Sequence, residues 1–206
     1  MMAYKLQRMF DYAPLENAPR GEIGIPRVLN LYENYPFWAT FFRELGFRVV
    51  LSPLSDRKIY ELGMESIPSE SECYPAKLAH GHVEWLVRQG IKTIFHPCVF
   101  FERKETPDAQ NHYNCPIVVS YPENLKNNVE AVADGDVRYI RPFIAFTNQE
   151  VAAERLVRLC AEEWDLPAAQ VKAAVQKAWI EQQQAKADVL AEGKRLLRQM
   201  EKQGGQ

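Results

Sequence analysis

One stretch decides the fold class, and it reads IGIPRVLNLYENYPFWATFFRELGFRVVLSP at residues 23–53. Residues 23–32 have the apolar character of a strand, and the proline inside them indicates an irregular or edge position. Residues 36–46 begin with a proline, end with a glycine and carry a strongly apolar face, which predicts a buried helix. Residues 47–53 predict a second strand. A strand, a helix and a strand in succession are typical of a parallel sheet.

The same alternation continues downstream as far as residue 146. From apolar runs and turn residues we predict helices at 57–63, 75–89 and 123–132, and strands at 91–97, 116–122 and 137–146, the last broken by Pro142. Residues 23–146 are therefore predicted to form an α/β domain, with a mostly parallel sheet of four or five strands and helices on both faces. Residues 1–22 are predicted to be a lead-in segment, because Pro14, Pro19 and Gly21 interrupt any periodicity.

The pattern changes at Thr147, and residues 147–206 are predicted to be a C-terminal helical extension. Thr147 and Glu150 have the spacing of a capping box, which begins a helix that ends near residue 164. A second helix restarts after Pro167 and would extend roughly 50 Å at 1.5 Å per residue. Its seam positions recur mostly at steps of three and four: Val171, Val175, Ala178, Gln182, Ala185, Val189, Leu196 and Met200. The helix is either a packing element with a solvated face or an arm that docks a partner or forms an oligomer.

Composition excludes several classes of function. The 206 residues are 47% apolar and 25% charged, and the formal net charge of −2 gives no general attraction to nucleic acid. No apolar run is long enough to span a bilayer, and the first residues do not have the pattern of a signal peptide. We therefore expect a cytoplasmic protein that is not held in a membrane, whose four cysteines are free thiols or metal ligands.

Three of those cysteines fall within residues 66–122, and each lies beside a proline or one residue away. Because ligands of open α/β sheets collect beyond the carboxyl ends of the strands, Cys73 and Cys98 are well placed for a shared site. Cys115 precedes a predicted strand, so the loop before it would have to fold back to the same edge. Our leading hypothesis is a three-thiolate iron–sulfur site whose fourth iron position is open. Cys160 lies on an apolar helical face and is interpreted as core packing.

The histidines suggest supporting roles rather than ligation. His80 and His82 are two residues apart on a predicted helix, so they face different directions and cannot readily share a metal. We expect His96, His112 and Glu70 to tune a nearby cluster through hydrogen bonds or charge. A zinc site built from two or three of the thiolates with His96 or His112 is a weaker alternative. No phosphate-binding glycine motif occurs, so we expect no nucleotide to bind this chain itself.

Three long blocks carry a resemblance to a known family, and they read RGEIGIPRVLNLYENYPFWATFFRELGFRVVLSP, SIPSESECYPAKLAHGHVEWL and NHYNCPIVVSYPENLKNN. Together they resemble the module found in 2-hydroxyacyl-CoA dehydratase activase-related proteins, over roughly residues 9–147. That module is similar, more distantly, to dehydratase subunits that hold a [4Fe–4S] cluster by three cysteines. The resemblance therefore implies that Cys73 in SESECYPAK, Cys98 in FHPCVFFE and Cys115 in NHYNCP are cluster ligands.

The resemblance also implies a function. It predicts an iron–sulfur electron-transfer or dehydratase-like module that works with an ATP-dependent activator domain or subunit, and with an acyl-CoA-type substrate, in anaerobic metabolism. This chain lacks the activator's ATPase domains, so the isolated chain is not expected to be active alone. The alternative is a non-enzymatic interaction module of a larger activase-related protein.

Overall fold

A four-stranded parallel sheet forms the centre of the computed structural model, which describes residues 1–202; residues 203–206 of the predicted extension lie outside the described residues. The strand order is β2–β1–β3–β5, and a two-stranded parallel sheet joins β4 to β6. The bounds are β1 Glu22–Ile25, β2 Arg48–Leu51, β3 Thr93–Phe95, β4 Cys98–Val99, β5 Arg138–Ile140 and β6 Phe143–Ile144. The predicted α/β class with a mostly parallel sheet is confirmed.

Two prolines divide what would otherwise be two longer strands. Pro97 separates β3 from β4, and Pro142 separates β5 from β6, because proline lacks the N–H that a central ladder needs. The pairing nonetheless continues across the break, since the N–H groups of His96 and Cys98 donate to the carbonyls of Ile140 and Pro142, both at 2.9 Å. The small sheet therefore extends the main one past the end of β3.

Helices cover both faces of the sheet, as predicted. Their bounds are α1 Met2–Phe10, α2 Leu31–Glu44, α3 Arg57–Gly63, α4 Tyr74–Arg88, α5 Pro116–Asn128, α6 Glu130–Ala133, α7 Gln149–Trp164 and α8 Ala168–Lys202, with a 3₁₀ turn at Met64–Ser66. One hydrophobic core lies between the sheet and α2, α7 and α8, and a second lies between the sheet and α4, α5 and α6. Successive residues of a strand point to opposite faces of the sheet, so Phe95 lies in the first core and Ile94 in the second.

The predicted strand at 116–122 is wrong, because these residues form the first half of α5. Pro116 is at the first helical position, where its missing N–H costs nothing and its fixed φ suits a helix. Tyr121 and Leu125 are both buried, which is the spacing of one helical face. The valines at 118 and 119 suggested a strand, but packing against the second core decides the outcome.

The first predicted strand also ends earlier than expected, at Ile25, and α2 begins at Leu31 rather than at residue 36. At the C-terminal side, Asn148 caps α7 in place of Thr147, since its side-chain oxygen accepts the N–H of Val151 at 2.8 Å. Residues 2–10 of the lead-in form a helix that buries Met9. The prolines and glycine that interrupt the lead-in all follow this helix, so they do not prevent it.

Pro36 lies inside α2, and Gln182 of α8 provides hydrogen-bond partners for two backbone groups near it. A proline in a helix clashes with the preceding turn and opens it. The side chain of Gln182 fills the opening: its Oε1 accepts the N–H of Phe37 at 3.0 Å, and its Nε2 donates to the carbonyl of Glu33 at 2.7 Å. These are the two groups that would bond each other in an unbroken helix. The amide therefore holds α8 against α2, although its position in the helical seam suggested only packing.

No helix within residues 1–202 is long and apolar enough to cross a membrane.

We expect Gln182→Leu to lower the free energy of unfolding by about 2–4 kcal/mol, because two backbone groups lose their partner at about 1–3 kcal/mol each. Its exposed neighbour Gln183 provides the control, and Gln183→Leu should change stability by no more than about 0.5 kcal/mol. Urea unfolding followed by circular dichroism measures both. Equal effects of the two substitutions would contradict the bridging role of Gln182.

Candidate functional site

The three candidate cysteines lie at one edge of the sheet, here called the carboxyl edge, at which β1, β2, β3 and β5 end. Cys73 immediately precedes α4, and Cys115 immediately precedes α5. Both helices pack on the same face of the sheet and lead back to the next parallel strand, so both begin at the carboxyl edge. Cys98 opens β4, just beyond the end of β3. The topology therefore places all three residues at the edge where the sequence predicts a site.

A hairpin-like loop returns the chain from Cys98 to Cys115. Phe101 and Tyr113 form an antiparallel bridge, and the N–H of Asn114 donates to the carbonyl of Phe100 at 2.9 Å. Residues 98–100 therefore run beside residues 114–116. The loop does fold back to the carboxyl edge, as the three-cysteine hypothesis requires, but it leads into a helix rather than a strand.

The two sulfurs lie in different local surroundings. The last backbone bond of this pairing joins Asn114 to Phe100, after which Cys115 begins α5, whereas Cys98 lies within β4. Cys98 is buried, whereas Cys115 and Cys73 are exposed. Burial raises the pKa of the Cys98 thiol to about 12, and the charge of Glu123 adds to the shift. Cys98 therefore carries a protonated thiol at neutral pH.

These residues fit a three-cysteine cluster only in part. Cys73 and Cys115, here called the exposed thiol pair, can reach a ligand at the carboxyl edge, but the Cys98 thiol is buried and protonated. Across residues 1–202, no three His, Cys, Asp or Glu side chains come close enough to hold a metal ion. The alternative zinc site with His96 or His112 therefore has no assembled ligand set within that range.

The residues expected to tune a cluster are spread around the carboxyl edge. His96 is fully buried, its Nδ1 shares a hydrogen bond of 2.9 Å with the Tyr139 hydroxyl, and its Nε2 has no partner among the described residues. His112 lies against the rings of Phe101 and Tyr113 in the loop before Cys115. Glu70 is exposed in the loop before α4, and its backbone carbonyl accepts a hydrogen bond from the Lys77 ammonium at 2.6 Å. None of the three makes a hydrogen bond to a cysteine.

Buried histidine–hydroxyl pairs line the carboxyl edge beneath the exposed thiols. His80 bonds Tyr121 at 3.1 Å and Ser66 at 2.8 Å. The two ring nitrogens of His82 bond Ser52 and Ser55 at 2.8 and 2.9 Å. His80 and His82 point in different directions, as their spacing predicts, but their hydroxyl partners were not expected. Tyr121 was not expected beside His80 because residues 116–122 were predicted to form a strand.

Comparison with known proteins identifies the family. A family model described as a CoA enzyme activase uncharacterised domain matches residues 22–206. The chain belongs to this family. The match begins at the first residue of β1, so it includes every strand and all helices but α1. No curated protein and no solved structure matches the chain.

Membership in the CoA enzyme activase family bears out the resemblance carried by the three sequence blocks. The description assigns no ligand and no residue, so it leaves the roles of Cys73, Cys98 and Cys115 as predictions. The geometry of the carboxyl edge therefore separates the exposed Cys73 and Cys115 from the buried Cys98.

The three buried histidines predict a steep acid dependence of stability. Burial lowers the pKa of His80 and His82 to about 4 and that of His96 to about 3. Histidine in an unfolded chain titrates near pH 6.5, so below that pH the unfolded chain binds protons that the folded chain does not. The stability that these neutral histidines contribute is therefore fully present above about pH 7, and it is lost as the pH is lowered.

We expect a loss of about 2 kcal/mol per histidine between pH 7.5 and pH 5, measured by urea unfolding at a series of pH values. The variant His82→Gln should show a loss smaller by one histidine's share. A flat profile over this range would show that the rings are not held neutral by burial.

Proposed function

We propose that this domain is an iron–sulfur module of a CoA enzyme activase system, with a [4Fe–4S] cluster held at the carboxyl edge by Cys73, Cys98 and Cys115. The observation that carries the proposal is the placement of the exposed thiol pair at the starts of two neighbouring helices, α4 and α5. Such a cluster would supply single-electron chemistry at low potential.

Helix electrostatics support this assignment. Helix α4 has 15 residues and α5 has 13, and each begins next to a cysteine. The partial positive charge of a helix N-terminus stabilises anionic groups and lowers the cost of holding a thiolate-bound cluster there. Both helices also carry a proline in the first turn, where its missing N–H and its fixed φ are compatible with a helix.

The third ligand requires a local change at Cys98. The thiol must leave its apolar surroundings and lose its proton, because only a thiolate binds iron. The segment that holds it is short: β4 has two residues and pairs with β6 through Cys98 with Phe143 and Val99 with Ile144. A two-residue ladder between prolines can yield more easily than the main sheet, so we propose that Cys98 turns outward when a cluster is assembled.

The family description supports a proposal for the partner and the substrate. We propose that an ATP-dependent activator, as a neighbouring domain or a separate protein, acts on this module, and that the substrate is an acyl-CoA-type compound. Four exposed aromatic side chains lie near the candidate cysteines. Tyr74, Phe100 and Tyr113 are within two residues of one in the sequence, and Phe143 pairs with Cys98 across the small sheet. Such a surface would suit a site that a partner covers.

Anaerobic reconstitution with iron and sulfide tests the proposal. We expect about four iron and four sulfide per chain, with the visible absorption of a cluster. Separate Cys73→Ser, Cys98→Ser and Cys115→Ser variants should each lose most of the iron. Cys160→Ser is the matched control for Cys98→Ser, because both cysteines are buried and burial raises the pKa of each thiol to about 12.

Retention of full iron by the Cys73→Ser or Cys115→Ser variant would overturn the proposed ligand set. A protein that stays colourless and free of iron after reconstitution would overturn the cluster itself. Binding of one equivalent of zinc without sulfide would show that the site is the alternative zinc site and not an iron–sulfur cluster.

The second candidate function is a non-enzymatic interaction module, and the C-terminal half of α8 favours it. The last residue of this helix that is buried is Ala185, after which Leu190, Leu197 and Met200 are exposed on positions three or seven apart. A helix end with an uncovered apolar stripe suits a docking role. In that case the triple variant with serine at positions 73, 98 and 115 would keep complex formation with the activator protein, whereas Leu190→Glu with Leu197→Glu would abolish it.

A further inference from the structure

We infer that a buried hydrogen bond from Tyr121 to His80 fixes the separation of the exposed thiol pair at the carboxyl edge. Tyr121 and His80 are thus positioning residues for the site, and neither has been assigned a role by family or motif. The importance of that separation rests on the proposed cluster, but the separation itself is a property of the metal-free chain.

A close helix crossing first places His80. A Cβ on Gly81 would lie 1.7 Å from the carbonyl oxygen of Ile59, and one on Gly63 would lie 2.2 Å from the backbone nitrogen of Gly81. Helices α3 and α4 therefore touch through backbone alone at this point, and no other residue type fits. The crossing places Ser66, in the 3₁₀ turn after α3, against the ring of His80.

The hydrogen bonds then define which nitrogen of His80 carries the proton. The Ser66 hydroxyl donates its single proton to the carbonyl of Gly63 at 3.0 Å. With that bond made, we assign the ring proton to Nδ1 of His80, 2.8 Å from the Ser66 oxygen, which leaves Nε2 as an acceptor. The Tyr121 hydroxyl donates to this Nε2 at 3.1 Å. Burial, which lowers the pKa of His80 to about 4, keeps the ring neutral and this polarity unchanged at neutral pH.

The bond joins two helices at nearly the same depth below the carboxyl edge. His80 follows Cys73 by seven residues and Tyr121 follows Cys115 by six, which corresponds to rises of about 10 and 9 Å. Because α4 and α5 run in the same direction, their first residues are held almost level. Both partners are fully or almost fully buried, so this contact cannot exchange with water.

The electrostatic surroundings of Tyr121 agree with this placement. Burial raises the pKa of Tyr121, and the charges of Glu72 and Cys73, at the start of α4, raise it further. The phenol therefore lies near the Cys73 end of α4 while belonging to α5, the helix that Cys115 begins.

Spin labelling of the metal-free protein tests the inference. A thiol-specific nitroxide reaches the exposed thiol pair and not Cys98 or Cys160, which are buried, so the wild-type chain needs no further substitution. We expect dipolar spectra to give one narrow distance for the wild type. Tyr121→Phe should widen the distribution about twofold, because a helix pair without its buried bond samples more arrangements.

Tyr139→Phe is the matched control. It removes the same kind of bond, from Tyr139 to His96 at 2.9 Å, in the same core but not between α4 and α5. If the loss of any buried tyrosine hydroxyl loosens the core, both variants should widen the distance distribution equally. If Tyr121 positions the helices, Tyr139→Phe should keep the wild-type distribution. The conservative pair His80→Leu and His80→Gln repeats the test if Tyr121→Phe does not fold: leucine should widen the distribution, and glutamine, which restores an acceptor, should not.

Equal widths for Tyr121→Phe and Tyr139→Phe, or for His80→Leu and His80→Gln, would overturn the inference. The labelled protein holds no iron, so this outcome is separate from that of reconstitution. A failed reconstitution with the predicted distances would remove the cluster and leave the positioning role in place.

Discussion

Parallel pairing is the constraint on which the rest of this structure depends. A chain that leaves one strand and enters a neighbour in the same direction must cross back over the sheet, and here α4 and α5 make that crossing on the same face. Each of these helices therefore begins where the strands end. Cysteines that are 42 residues apart in the sequence, Cys73 and Cys115, come to the same edge for this reason alone. Nothing in their local sequence brings them together.

A network of buried polar side chains lies beneath that edge. His80, His82 and His96 are buried, and each ring is bonded to a hydroxyl from a different element. Buried polar groups that find partners define one arrangement of their surroundings, because any other arrangement leaves a group unpaired at a cost of kilocalories. The edge thus has a bonded polar layer beneath two exposed thiols, and the buried Cys98 lies beside that layer in the two-residue strand β4.

Much of the fold could be predicted from sequence because local signals agreed with packing. Gly46 after α2, and Pro75 and Gly90 at the two ends of α4, agree with the helices that the structure contains. Residues 116–122 failed because valines favour a strand while the spacing of Tyr121 and Leu125 favours a helix, and the core against which they pack is made by distant residues. Cys73 and Cys98 were expected at the carboxyl edge from topology, whereas Cys115 lies there because residues 116–122 form a helix and not the expected strand. Their role as ligands stays a prediction. The burial of Cys98 was not expected, because it depends on packing around β4 by residues that are distant in the sequence. Gln182 was assigned to a seam because its two backbone partners belong to a helix 145 residues earlier.

An alkylation footprint of the cysteines, read by mass spectrometry before and after anaerobic reconstitution with iron and sulfide, tests the central claim most directly. In the metal-free chain, Cys73 and Cys115 should be modified within seconds to minutes while Cys98 and Cys160 stay protected until the protein unfolds. After reconstitution, Cys73 and Cys115 should become protected together, since one cluster would cover both. Unchanged modification of either residue after iron has been incorporated would show that the two sulfurs do not share a site at this edge.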